Sequence, residues 1–310
     1  MPKCLKCKKE ELCSGFCRSH FKKYLEDKIK KTIRRFELFN HKSKIAVAVS
    51  GGKDSTVLLY VLHRLGYDVT GITVDAYIGN YTKQNLENLK SVCEKHKIPL
   101  KVIGFKEEFG YSLCYITSIL NGSKKEKKFA SCMVCGVLRR YLINKYAKQM
   151  KFDAVATGHT LDDEAQAFLM NIFRNDVALS RRQGPIAGRG GSSAFVRRVK
   201  PLYLCTEKET TAYSKLMGFP VNYERCPCSV DAYRKNFRHF LDEFEKKHPS
   251  AKYNIVNFFL ETINKDKKNY SNDVIGTCEL CGEPSAGNIC KKCEIINILK
   301  GAIVKNANKN

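Results

Sequence analysis

The sequence predicts an α/β protein, a doubly wound parallel sheet flanked at each end by a small cysteine-rich module. Three observations carry this. Short apolar runs alternate with helix-length stretches through the middle of the chain. Glycine-bearing turns follow the apolar runs. Fifteen cysteines are present, many in CxxC pairs, and most of the pairs lie near the two ends.

The elements follow in order. Residues 1–30 form the N-terminal module, which runs into a basic helix over 20–39. Residues 31–270 form the central domain. Its first strand is 44–49, an apolar run that ends at a Gly pair, and 54–65 reads as a helix. A second strand covers 69–74, a helix 82–96, and a third strand 99–103. An amphipathic helix covers 134–150, a short buried strand 154–157, and a further helix 161–173. Such alternation implies parallel strands covered by helices on both faces. Ligands in these sheets sit at the C-terminal strand ends, near a topological switch point. Residues 271–310 form the C-terminal module, entered through a polar stretch.

The composition narrows the partners. With 310 residues and 43% hydrophobic content, a large core can form. Lys plus Arg is 55 against 31 for Asp plus Glu, a net charge of +24. That excess suits a polyanion, nucleic acid ahead of membrane. A soluble protein from a lysine-rich proteome is the bland alternative. Residues 124–128 read as a solvated charge run. No apolar run suffices to span a bilayer, and the first residues, MPKCLKCKKE, lack the apolar core of a secretory signal. A cytoplasmic, reducing setting is expected. There, CxxC pairs favour metal or redox chemistry over disulfides.

Ser50-Gly51-Gly52-Lys53-Asp54-Ser55 separates the first strand from its helix. Glycines let the backbone turn and approach an anion, and the helix N-terminus aims its N–H groups at one point. Lys53 adds a mobile charge, Ser50 and Ser55 add donors, and Asp54 suits magnesium. Thr73-Val74-Asp75 ends the second strand, where backbone can read adenine. Ala156-Thr157-Gly158-His159-Thr160-Leu161-Asp162-Asp163-Glu164 ends a later strand and opens a helix. Asp162 and Asp163 are also ordinary cap residues there.

Ser131-Cys132-Met133-Val134-Cys135-Gly136-Val137-Leu138-Arg139-Arg140 places two thiols at a helix start, where the helix end and the arginines favour thiolate. Arg225-Cys226-Pro227-Cys228-Ser229 offers a third thiol. By themselves these thiols fit an iron site, a zinc site or a redox pair.

SGGKDS resembles the PP-loop of ATP pyrophosphatases, and the helix start at 158–163 resembles their GHxxDD segment. With CxxC followed by GxxRR and a later CPxS, nearly the whole chain resembles the tRNA 2-thiouridine synthetase family. That family comprises the archaeal and eukaryotic wobble-uridine thiolases and the thermophile T-loop thiolases. The resemblance implies an adenine nucleotide α-hydrolase-like fold and a reaction in two stages. ATP adenylates the C2 oxygen of a tRNA uridine, and sulfur then displaces AMP to give 2-thiouridine.

The resemblance also implies a 4Fe–4S cluster on Cys132, Cys135 and Cys226. It implies ATP contacts at Ala48, Ser50, Gly51, Gly52, Lys53, Asp54, Ser55, Val74, Arg139 and Gly158, with Asp163 as a magnesium or catalytic carboxylate. Magnesium is the metal at ATP. Expected partners are tRNA, a sulfur donor (a ubiquitin-like thiocarboxylate protein or free sulfide) and a second copy in a homodimer. The family usually reads ECPxS with an aromatic before the serine. Here Arg225 replaces the acid and Cys228 takes the aromatic position, so Cys228 is an alternative third ligand. The rivals are a cluster-free persulfide route through Cys226 and Cys132, another PP-loop adenylator, and a non-catalytic zinc-finger RNA-binding protein. The mid-chain CxxC argues against the second and the intact SGGKDS against the third.

Cys4, Cys7, Cys17 and His20 form one candidate zinc set, in which Cys13 can replace a ligand. Cys278, Cys281, Cys290 and Cys293 form the other. Both zincs are expected to be structural, since modules this short bury little core. Cys13, Cys93, Cys114 and Cys205 lack partners at metal spacing and read as buried free thiols.

Overall fold

The computed structural model describes residues 2–122, 129–187, 195–224, 226–228, 232–266, 276–285 and 287–307. The charge run at 124–128 lies outside them. Helix α1 (Arg18–Arg35) buries Phe21, Leu25, Ile29 and Ile33, one stripe at four-residue spacing. This stripe packs into the main core, so α1 continues from the N-terminal module into the central body.

The chain then alternates. Strand β1 (Lys44–Ala48) leads to α2 (Lys53–Arg64), β2 (Asp68–Asp75) to α3 (Gly79–His96), and β3 (Leu100–Gly104) to the short α4 (Phe105–Phe109). Helices α5 (Leu113–Gly122) and α6 (Ser131–Gln149) precede β4 (Ala154–Thr157) and α7 (Leu161–Phe173). The expected strands and helices of this stretch therefore form. After it come α8 (Val177–Arg181), β5 (Ile186–Ala187), β6 (Arg197–Val199) and α9 (Glu207–Leu216). Helices α10 (Ala232–Lys247) and α11 (Ala251–Asp266), the small strands β7 (Gly276–Thr277) and β8 (Pro284–Ser285), and α12 (Lys291–Ala307) complete the chain.

The main sheet runs in the order β3-β2-β1-β4-β6-β5. All its pairs are parallel except the β5–β6 edge. Alternation along the strands assigns the two faces. Ile45 and Val47 of β1 face the layer holding α1 and α2, while Ala46 joins Ile72 and Val74 against α5 and α6. A third apolar cluster joins Leu161 and Ala165 of α7 to Leu241, Val256 and Leu260 of α10 and α11. Order reverses at β1, which pairs with β2 on one side and β4 on the other. The turns after β1 and β4 thus flank the switch point, where such sheets open a crevice.

Both terminal modules are docked. Glu209 of α9 accepts from Ser14 Oγ at 3.1 Å, Tyr24 Oη at 2.9 Å and Lys28 Nζ at 2.8 Å. At the other end, Ile295 and Leu299 of α12 enter the α5–α6 side of the core. Among the described residues, no helix is long and apolar enough to cross a membrane.

Candidate nucleotide and thiol site

The loop after β1 turns at Gly51, whose φ is +79°. A Cβ there would sit 2.6 Å from the Asn85 carbonyl oxygen, so side chains are excluded by both conformation and space. Gly52 is the N-cap of α2, and no side chain caps this helix end. Its first-turn N–H groups therefore lack the usual internal partner and are suited to an anion. The loop is braced from within, since Ser50 N donates to Ser55 Oγ at 3.2 Å and Ser55 Oγ donates to the Gly52 carbonyl at 3.1 Å.

Lys53 Nζ contacts Asp54 and Glu207, each at 2.9 Å. Asp54 also accepts from Thr210 Oγ. Burial outweighs these partners and raises the Asp54 carboxyl above its ordinary value. Sequence spacing does not single out Glu207, because α9 lies far along the chain and reaches Lys53 only through the fold.

The β4–α7 turn meets this loop. A Cβ on Gly158 would lie 2.9 Å from Ser55 N and 3.0 Å from Ser55 Cα. Glycine is what lets the two turns touch. Asp163 closes a capping box with Thr160 and accepts from Arg234 at 2.9 Å. Burial opposes its ionisation, yet Arg234 and His159 hold it below the ordinary carboxylate value. Asp162 is spoken for structurally. It accepts from Glu207 N and from Lys252 Nζ, both at 2.7 Å.

A cavity of about 1070 Å³ opens beside these turns. Of the residues expected at ATP, it is lined by Ala48, Ser50, Gly52, Asp54, Ser55, Val74, Arg139 and Gly158, whereas Gly51 and Lys53 lie outside the lining. Arg139 has a buried Nε with no protein partner. Further lining cations are Arg140, Arg182, Arg198, Lys291 and Lys292. The C-terminal module supplies one wall. Asn144 Nδ2 donates to Glu283 Oε2 at 2.8 Å, and Lys292 Nζ sits 4.2 Å from the Tyr141 ring centroid. Nothing in the sequence spacing predicts that this module borders the nucleotide cavity.

Two of the inner thiols, Cys132 and Cys135, lie on the first turn of α6, and the 226–228 segment reaches that end. Cys132 is exposed at the start of α6, and Cys135, Cys226 and Cys228 are half-buried. Cys132 Sγ donates to the Cys228 carbonyl at 3.1 Å, tying the helix start to the 226–228 segment. Gly136, Val137 and Arg139, which follow Cys135 on α6, line the nucleotide cavity, so the helix that opens with the CxxC pair runs along it. Burial, then the neighbouring Cys226 and Cys114, pushes the Cys228 thiol up to about 11. Cys13, Cys93 and Cys205 are buried, but Cys114 departs from the expectation of a buried lone thiol. It is exposed at the start of α5.

At the termini, Cys4, Cys7, Cys17 and His20 bring their donor atoms within 4.8 Å of one another, and so do Cys278, Cys281, Cys290 and Cys293. Cys13 lies in the core, with Sγ 3.6 Å from Ser14 Oγ. The N–H of Cys290 donates to Cys278 Sγ at 3.3 Å and is the chief reason that thiol drops to about 6.

Comparison with known proteins agrees with this architecture. A family model described as a PP-loop domain matches residues 21–241. The chain is 36% identical over 284 residues to tRNA-5-methyluridine(54) 2-sulfurtransferase of Pyrococcus horikoshii, covering 92% of this chain and 88% of the relative. It is 34% identical to cytoplasmic tRNA 2-thiolation protein 1 of Drosophila pseudoobscura pseudoobscura, over 96% of this chain and 86% of that one. Among solved structures it is similar to the U34-tRNA thiolase NcsA of Methanococcus maripaludis, solved with its [4Fe-4S] cluster. The TM-score is 0.78 at 29% identity, with 95% of each chain covered. A nucleotide-type loop at the switch point, a CxxC pair opening a helix that lines the cavity and these relatives together place the chain in the tRNA 2-thiolation family of PP-loop enzymes.

Proposed function

We propose that this chain is a cytoplasmic tRNA-uridine 2-sulfurtransferase that adenylates a uridine with ATP before sulfur is inserted. The observation that carries the reading is that Cys132 and Cys135 open α6, the helix whose Gly136, Val137 and Arg139 line the PP-loop cavity. The uridine C2 oxygen attacks the α-phosphorus of ATP, and pyrophosphate departs into the loop at 50–55. Lys53 and the α2 N-terminus offset its charge. Asp54 and Asp163 are the carboxylates that would hold magnesium, whose role is charge neutralisation at the phosphates. An ion at Asp163 would replace its contact with Arg234. Arg139, with its unpartnered Nε, is directed at the nucleotide.

Cys132, Cys135 and Cys226 fit a three-thiolate iron–sulfur site. Two lie one helical turn apart at an uncapped helix end, and the contact from Cys132 to the Cys228 carbonyl brings the third strand of chain alongside. When bound there, a 4Fe–4S cluster supplies an iron with an open position for sulfur. The alternative, persulfide on Cys226 resolved by Cys132, uses the same thiols without iron. The terminal sets suit two structural zinc ions. The reading extends to tRNA drawn by the +24 charge, to a thiocarboxylate protein or free sulfide as donor, and to a homodimer.

The test is an anaerobic reaction with tRNA, ATP, magnesium and sodium sulfide, followed by nucleoside mass spectrometry. The expected products are 2-thiouridine, AMP and pyrophosphate. Lys53→Ala and Asp54→Ala should abolish them while tRNA binding persists. Thiolation without ATP, or release of ADP, contradicts adenylation.

A further inference from the structure

The nucleotide cavity holds more room and more positive charge than one nucleotide needs. Its volume of about 1070 Å³ exceeds the roughly 300–1,000 Å³ that suits a single small ligand. Its lining carboxylates are Asp54, Glu283 and Glu294. Each is engaged, Asp54 by Lys53 at 2.9 Å, Glu283 by Asn144 at 2.8 Å and Glu294 by Lys291 at 2.7 Å. Arg140 and Arg198 line the same cavity and pair with no carboxylate among the described residues. Arg198 stands apart from the phosphate loop. That loop follows β1, whereas Arg198 is on β6, two strands away across β4 and so roughly 10 Å off. Its partner in register is Val155, which belongs to the α5–α6 side of the core. Arg140 comes from α6 itself, and its guanidinium folds back over Gly136, where a Cβ would sit 3.0 Å from Nη1. Gly136 follows Cys135, so this cation lies between the cavity and the CxxC end of the helix. Burial and the like charge of Arg140 both act against the Arg198 guanidinium. Arginine does not shed its proton, so the compensation falls to an anion.

We infer that Arg140 and Arg198 form a second anion site, which grips a backbone phosphate of the tRNA beside the uridine being thiolated. This rests on the sulfurtransferase reading above. The phosphates of ATP are taken by the loop at 50–55 and the α2 N-terminus, so the two arginines face a different anion. A phosphodiester fits them, because its two unbridged oxygens match the donor fork of a guanidinium. The position fits as well. The uridine must present its C2 oxygen to the α-phosphorus and then its C2 carbon to sulfur at the CxxC end. An anchor between the phosphate loop and Cys135 keeps the nucleotide within reach of both. Arg140 and Arg198 are thus positioning residues, which touch the substrate strand and take no part in bond making.

The experiment uses full-length protein, unmodified tRNA and an α,β-methylene ATP analogue that cannot release pyrophosphate. Arg140→Gln, Arg198→Gln and the double variant are compared with wild type, and a thermal melt checks that each folds. Each substitution should lower the slope of log tRNA affinity against log salt by about 0.7–0.9, the loss of one phosphate contact. The double variant should raise the KM for tRNA at least about tenfold, while the Kd of the ATP analogue stays within about twofold. Arg140→Lys keeps the charge and loses the fork, so it should restore the salt slope but only part of the KM. Weaker binding of the ATP analogue with an unchanged tRNA slope gives the arginines to the nucleotide and overturns the inference. A raised KM for sulfide with the KM for tRNA unchanged gives them to the sulfur and overturns it too. Wild type that binds tRNA but makes no 2-thiouridine would count against the enzymatic reading alone. The salt slopes would still decide the arginine site.

Discussion

Gly158→Ala tests whether contact between the two loops at the switch point builds the nucleotide site. The added Cβ would lie 2.9 Å from Ser55 N, 3.0 Å from Ser55 Cα and 3.1 Å from the Asp54 carbonyl carbon. Comfortable carbon contacts lie at about 3.5–4.0 Å, so the turns must separate by roughly half an ångström. The atoms in the way are backbone, which cannot rotate aside. Overpacking of this kind costs about 1–3 kcal/mol, which should lower Tm by roughly 2–8 °C in a chain of this size. Activity should suffer more than stability. The displaced backbone carries Asp54 and Ser55, and small misplacements near reacting groups cost up to about a hundredfold in rate. The assay is ATP-dependent pyrophosphate release, read beside a thermal melt. Gly301→Ala is the control. It lies in α12 with nothing within 4 Å of its added Cβ, so it should be neutral or stabilising by up to about 1 kcal/mol. If Gly158→Ala matches wild type in both measurements, the contact between the loops does not shape the site.

Two further predictions concern the body and the partner. Glu209→Gln leaves Lys28 without its carboxylate and should cost roughly 2–3 kcal/mol by denaturant unfolding. Lys28 chiefly holds the Glu209 carboxyl below its ordinary 4.5 against the pull of burial. The pair's stabilisation is therefore present above pH 4.5 and is lost as pH falls through the lower folded value. On the alkaline side, Glu209 raises Lys28 from 10.5 to about 12 against burial, so the stabilisation is present below 10.5 and is lost as pH passes about 12. A variant whose acid and alkaline unfolding match wild type removes Glu209 as the anchor of α1. The charge of +24 predicts that tRNA binding weakens steeply between low and moderate salt in a filter-binding titration. A flat titration would separate the basic excess from RNA binding.

Much of this architecture is legible from local sequence, for identifiable reasons. Alternating Ile45, Ala46 and Val47 point to opposite faces, and the Gly51-Gly52 turn marks the end of β1 before α2. Other features depend on distant contacts. The edge strands β5 and β6 are two and three residues long, too short for periodicity to register. Thr206 and Glu209 carry the spacing of a capping box, which marks the start of α9. That spacing says nothing of Glu207 reaching Lys53 or Glu209 reaching Lys28. Asp162 and Asp163 are adjacent, yet they diverge into a buried ion pair with Lys252 and a cap under Arg234. The C-terminal module borders the nucleotide cavity through Glu283, Cys290 and Lys292, a relation that no linear spacing encodes.

On the proposed reading, Cys132, Cys135 and Cys226 hold an iron–sulfur cluster near the nucleotide cavity. Iron and acid-labile sulfide assays on anaerobically purified protein, with its ultraviolet–visible spectrum, test it most directly. Wild type should carry about four irons per chain, as a cubane cluster requires. Cys132→Ala, Cys135→Ala and Cys226→Ala should each lose that iron and the thiolation activity while zinc stays, and Cys228→Ala should keep the iron. Loss of iron from Cys228→Ala but not from Cys226→Ala would move the third ligand by two residues. Wild-type protein that contains no iron and is fully active would contradict the cluster and leave the persulfide route through Cys226 and Cys132.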